Sequence, residues 1–211
     1  MIIIPAINAE TFEEVKNKLE LIKPYAGWAH IDVADGSFAD NILWHNPEDI
    51  RQISGLNLNL EVHLMISGLE DKIDKWLKPE VKRILFHLSA VGDPDIVIKK
   101  CEEIGIEVGI SISPEDSVEK ALIYKDKVDF FQILAVKPGL PGQKMDESTF
   151  EKIKEVRKFC SSCIIEVDGG MNLETIPKAI ESGANIIVAA SAIFDTGKDI
   201  KESIEKLKNV I

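Results

Sequence analysis

The 211-residue chain carries 36 acidic against 25 basic side chains, a formal charge of −11, with 45% hydrophobic and 29% charged residues. That length and balance suit one globular domain of about 200 residues whose core needs no staples. The acidity excludes nucleic acid and anionic lipid as partners, and no apolar run approaches the roughly 18 residues of a membrane span. The opening MIIIPAINAE lacks the basic region and apolar core of a secretory leader, so a cytoplasmic protein is expected. The same acidity would repel an anionic metabolite at long range, so any phosphate must be captured by a local site.

In chain order, Ile2–Ile7 predicts a strand and Thr11–Ile22 a helix, with Phe12, Val15, Leu19 and Ile22 recurring at three and four. Strands then follow at Trp28–Val33, Leu58–Ile66, Arg83–Leu88, Glu107–Ser113, Phe130–Val136, Cys163–Val167 and Asn185–Ala190. Between and after them, helices are predicted at Pro47–Ile53, Leu69–Leu77, Pro94–Ile104, Ser117–Tyr124, Ser148–Phe159, Leu173–Ser182 and Ile200–Val210. Ser117 stands where a helix cap belongs, Gly105 and Gly183 where helices stop, and Pro47, Pro79 and Pro94 punctuate boundaries. Strict alternation implies a parallel sheet of βαβ units. An open doubly wound sheet is the rival, but the chain has neither a G-x-G-x-x-G after its first strand nor a P-loop. A single-domain α/β fold over residues 1–211, an eight-unit (β/α)8 TIM barrel, is the expectation.

The three cysteines, Cys101, Cys160 and Cys163, make an odd count, against a secreted disulfide framework. Cys160 and Cys163 are spaced as a redox pair or half a zinc site; without a second pair, two packed thiols are expected.

Barrel chemistry gathers at the C-terminal ends of strands. His30 and Asp32 are two apart and share a strand face; His63 lies on the third strand, and Asp168 ends the seventh before Gly169-Gly170. Singly, each reads as a hydrogen-bonded core group. Together, four ionisable groups at one barrel mouth are costly unless something binds there. Two imidazoles and two carboxylates suit Zn²⁺, Mn²⁺ or Fe²⁺. With strands 2 and 7 on roughly opposite sides, Asp32 and Asp168 would flank a substrate, removing a proton from one face of a carbon and returning one to the other. The loops holding Gly169-Gly170, Ala190-Ser191 and Gly139–Gly142 are where barrels grip phosphate or close a lid.

The order and spacing of HIDVADG (30–36), EVHLMI (61–66), VKPGLPGQ (136–143), EVDGG (166–170) and SGANIIVAASAIF (182–194) resemble the ribulose-phosphate 3-epimerase family. The resemblance implies a metal-dependent isomerase of the pentose phosphate pathway, interconverting D-ribulose 5-phosphate and D-xylulose 5-phosphate. Zinc is the expected metal, held by His30, Asp32, His63 and Asp168, with Asp32 and Asp168 also the acid/base pair. Met65 would pack beside the sugar, and Gly139, Gly142, Gly169, Gly170, Ala190 and Ser191 would surround its phosphate. The partner is a small sugar phosphate, and a homo-oligomer is expected. The chain departs from the family pattern at Ala6, Ala34, Pro141 and Ala190, where the family has serine, methionine, glycine and glycine. His87-Leu88-Ser89 stands in place of H-x-E, which makes His87 read as structural. Another ketose phosphate, such as a six-carbon 3-ketose 6-phosphate, and a non-catalytic phosphosugar-binding barrel remain alternatives.

Overall fold

A computed structural model describes residues 1–139 and 143–211; Pro141 and Gly142 therefore lie outside the described residues. Strands β1 (Ile2–Ile7), β2 (Trp28–Ala34), β3 (Asn59–Met65), β4 (Val81–His87), β5 (Glu107–Ile112), β6 (Phe130–Leu134), β7 (Ile164–Asp168) and β8 (Ile186–Ala189) close into one barrel in chain order. Every neighbouring pair is parallel, and β8 returns to β1 with Ile4 opposite Val188. Around it run helices α1 (Phe12–Ile22), α2 (Pro94–Glu103), α3 (Val118–Leu122), α4 (Thr149–Phe159), α5 (Thr175–Ser182), α6 (Ser191–Phe194) and α7 (Ile200–Lys208). No helix among the described residues is long and apolar enough to cross a membrane.

Alternation along each strand produces two different interiors. Outward residues such as Ile31, Val62, Ile84, Ile110, Ile133 and Val167 meet the helices in one continuous apolar shell. Inward residues form one apolar patch beside β1 and β8, from Ile4, Ala6, Ile186 and Val188, and a second where Ala34 and Met65 meet Ala39 and Leu43. The centre of the lumen is polar, with His30, Glu61, Gln132 and Glu166 fully buried. Toward the N-terminal end of the strands, the Arg83 guanidinium lies 4.2 Å from the Trp28 ring centroid and 5.3 Å from that of Phe130. Gly109 admits the Phe130 ring there, since a Cβ would approach it to 2.7 Å.

Local signals account for the helix ends. Thr11 and Glu14 form a reciprocal capping box at the start of α1. Gly105 and Gly183 follow α2 and α5 with φ of 73° and 115°, the left-handed conformation that ends helices. Ser117 stands at the N-cap of α3, but its hydroxyl donates to the Glu119 carboxylate instead of accepting a backbone N–H.

Three expectations are corrected. Residues 47–56 form a 3-10 helix rather than an α-helix. The buried Pro47, Ile50 and Ile53 recur at three, matching the 3-10 period, and Asn57 ends the segment in left-handed backbone. Residues 69–77 likewise hold only two short 3-10 turns, Leu69–Asp71 and Ile73–Lys75. Cys160 and Cys163 are joined as a disulfide rather than packed as thiols, because the turn between α4 and β7 brings their Cα atoms to 5.4 Å. Trp44 and Trp76 are core residues in edge-to-face contact, at a centroid distance of 5.8 Å.

Candidate active site

The strand registers set the site's floor. Asp32 pairs with His63 across β2 and β3, and β7 ends on Asp168. One ligand atom from each of His30, Asp32, His63 and Asp168 lies within 4.8 Å of all the others. Above them opens a cavity of about 600 Å³, lined by Asp32, His63 and Asp168 and by the loops after β6, β7 and β8. Asp32 and Asp168 are each 9% exposed, whereas His30 is fully buried beneath them. β2 and β7 stand three places apart around the ring, with β1 and β8 between them. The two carboxylates thus lean toward one point rather than facing each other across a diameter.

The histidines are held by unlike partners. His30 Nδ1 donates to Glu61 Oε1 at 2.7 Å, while its Nε2 lies 3.4 Å from Asp32 Oδ1 and has no hydrogen-bond partner. A buried nitrogen without a partner, facing a carboxylate, fits a cation seated between them. Burial alone would lower the pKa of His30, but Asp32 and Glu61 on its two sides outweigh this and raise it well above its ordinary value. The same two carboxylates that favour a proton on His30 favour a metal ion at Nε2. His63 turns Nδ1 to Asp32 Oδ1 at 3.1 Å and Nε2 to His87 Nε2 at 2.8 Å.

The surroundings of the two aspartates pull their pKa values in opposite directions. Burial pushes Asp32 up, yet its contacts with His30 and His63 prevail and hold it far below the usual carboxylate range. At Asp168 burial, with the Asp32 charge adding to it, outweighs the opposing His30 charge and the Gly169 N–H and pushes its pKa up to about 7.

Glu61 and Glu166 complete the layer below. Glu61 is held down, against burial, by the hydrogen bond and charge of His30. Burial, then the Glu61 charge, raises Glu166 well above its ordinary value. Gln132 Nε2 donates to Glu166 Oε1 at 2.9 Å, and Ser111 Oγ donates to Gln132 Oε1 at 2.6 Å. Glu166 thus belongs to the lumen's hydrogen-bond chain and does not line the cavity. Its position two before Asp168 shows a shared face; the partners on β3, β5 and β6 are invisible without the barrel's register.

The other expected residues divide. Met65, Gly139, Gly169, Gly170, Ala190 and Ser191 line the cavity; Gly142 lies outside the described residues. Gly139 takes φ of 112°, and a Cβ there would come within 2.5 Å of Asn41 Oδ1, whose own Nδ2 donates to the Gly139 carbonyl. Of the departures from the family pattern, Ala6 and Ala190 line the cavity, while Ala34 does not line it and packs with Ala39, Leu43 and Met65. Asn8 and Lys18 also line the cavity and carried no motif. Asn8 Nδ2 donates to Asp32 Oδ2 at 3.3 Å, and Lys18 Nζ donates to the Asn8 carbonyl at 3.0 Å. The period-two alternation from Ala6 to Asn8 was the available signal.

The chain resembles known proteins along nearly its whole length. A family model described as the ribulose-phosphate 3 epimerase family matches residues 2–194. The chain is 33% identical to the ribulose-phosphate 3-epimerase of Bacillus subtilis (strain 168), covering 98% of this chain and 97% of that protein. It is 35% identical to that of Chlamydia muridarum, covering 88% and 82%. Among solved structures, 3-hexulose-6-phosphate synthase from Salmonella typhimurium shares the fold with a TM-score of 0.76, at 15% identity, over 100% of this chain and 98% of the other. With the matched segment running through all eight strands and all four clustered His and Asp residues, the chain belongs to the ribulose-phosphate 3-epimerase family.

Proposed function

We propose that the protein is a metal-dependent 3-epimerase interconverting D-ribulose 5-phosphate and D-xylulose 5-phosphate. The observation that carries this reading is the convergence of His30, Asp32, His63 and Asp168 within 4.8 Å at the floor of the cavity. Two nitrogens and two carboxylates match zinc, with manganese or iron(II) next. When bound, the cation supplies positive charge to the enediolate that lies between the two proton transfers.

The protein's own groups move the protons. Asp32, held ionised, is fitted to take the proton from C3, and Asp168, which keeps its proton to near neutrality, to supply one. The roles exchange in the reverse direction. Asn8 steadies Asp32 from the β1 side. Gly139, Gly169, Gly170 and Ser191 offer close backbone approach to a phosphate at the mouth.

The changed lining at Ala6 and Ala190 favours a second reading, epimerisation of a six-carbon 3-ketose 6-phosphate at the same centre. Incubation with each ketose phosphate in D2O, followed by proton NMR, tests both. Deuterium entering C3 together with xylulose 5-phosphate is the expected result. Exchange only with the six-carbon substrate would select the second reading. Tight binding of either sugar without exchange would make the protein a non-catalytic binder.

A further inference from the structure

Beside the metal-binding quartet runs a second row of hydrogen bonds that the reaction does not use. His63 Nε2 lies 2.8 Å from His87 Nε2, and His87 Nδ1 lies 3.2 Å from Ser113 Oγ. Phe38 stacks on the His87 ring at a centroid distance of 4.7 Å. His87 is fully buried and Ser113 nearly so, so water does not replace either partner.

Two imidazole nitrogens at hydrogen-bond distance share one proton, so the donors along this row must all point the same way. In one sense, Ser113 donates to His87 Nδ1, His87 Nε2–H donates to His63 Nε2, and His63 Nδ1–H donates to Asp32. In the other, His63 Nε2–H donates to His87 Nε2, and His87 Nδ1–H donates to Ser113 Oγ. Only the second leaves a lone pair on His63 Nδ1, the atom 3.1 Å from Asp32 Oδ1. His30 obtains its orientation from a carboxylate, since Nδ1–H donates to Glu61 and Nε2 faces the centre. His63 has no carboxylate on its outer nitrogen, and His87 occupies that place.

We propose that His87 is a positioning residue for the metal centre: by accepting the His63 Nε2–H it fixes the tautomer that offers Nδ1 to a divalent cation. This rests on the metal-binding reading above. The row spans β3, β4 and the turn after β5, so it fixes the His63 ring against two neighbouring strands. His87 was expected to be structural, because the carboxylate of H-x-E is replaced by Ser89; its contacts run instead to His63 and Ser113.

The test is zinc affinity, measured by competition with a chromophoric chelator on the purified protein, for wild type, His87→Phe and His87→Gln. Phe keeps the stack on Phe38 but accepts no hydrogen bond; Gln retains an acceptor oxygen. The expected result is affinity weakened about 10–100-fold in His87→Phe and restored to within about three-fold of wild type in His87→Gln. Affinity in folded His87→Phe within about two-fold of wild type would overturn the proposal. Should His87→Phe fail to fold, long-range ¹H–¹⁵N spectra of zinc-loaded wild type decide. Protonation of His63 at Nε2 and of His87 at Nδ1 is expected, and a bare His63 Nε2 would overturn it. Wild type that binds no divalent ion removes the metal reading and this inference together. Wild type that binds zinc without epimerising removes only the proposed reaction.

Discussion

Asp32 and Asp168 are the same side chain in two electrostatic settings, and the difference comes from their neighbours. Asp32 lies in contact with both histidines, while Asp168 stands at a strand end where burial prevails over the His30 charge and the Gly169 N–H. Because burial raises Asp168 to near neutrality in the metal-free protein, Asp168→Asn removes little buried charge there. Its melting temperature should stay within a few degrees of wild type, while kcat for epimerisation should fall by about two to four decades. Calorimetry and a coupled assay measure the two, and a wild-type rate would remove Asp168 from the acid/base pair. At this scale the inward quartet was legible, because H-x-D on a strand and a carboxylate before two glycines are spacing signals. The partners of these residues were not. Glu61 opposite His30 and His87 beside His63 are relations across strands, and a linear spacing does not carry strand register.

Arg157 ties several elements together. Its Nη1 donates to the carbonyls of Ser161 and Cys163, and its Nη2 to Gly183 O and Asn185 Oδ1, at 2.6–2.8 Å. The end of α4, the disulfide turn, the end of α5 and the approach to β8 thus converge on one guanidinium. Arg157→Ala removes these bonds at a half-buried position where water replaces part of them. A loss of about 2 kcal/mol is expected, read as a lower urea midpoint with an unchanged slope. A loss below about 0.5 kcal/mol would show the bonds to be ornamental. The strands were legible in the sequence to within two residues, because buried parallel strands read as continuous β-branched runs. The 3-10 segments were not, since apolar residues at three and four serve either helix until the buried set is known. The disulfide escaped because two cysteines three apart fit a thiol pair equally well, and only the turn geometry separates the two.

The whole barrel keeps its main apolar shell outside the strands and its buried ionisable groups inside them. A cation at the quartet should therefore stabilise the whole fold, because its ligands come from β2, β3 and β7. Removing metal with a chelator should abolish epimerisation. Returning zinc at a hundred times its dissociation constant should restore it and add about 2.7 kcal/mol of stability. That corresponds to a melting temperature higher by about 5–10 °C, measurable by scanning fluorimetry. Full activity in a verified metal-free sample would exclude the metal's role.

The polar lumen also bears on whether the barrel divides. His30, Glu61 and Arg83 come from the first four strands, Gln132 and Glu166 from the last four, and His30 Nδ1 lies 4.0 Å from Glu166 Oε1. Cut between β4 and β5, each half would expose a charged or amide-bearing wall with its complement on the other piece. Neither half should show a cooperative melt alone, whereas the two mixed should regain one. An independently folding half would show that the apolar shell suffices. The molecule is thus a closed circuit: a repeating pattern of eight similar units yields one indivisible object, because what lies inside is shared among them and owned by none.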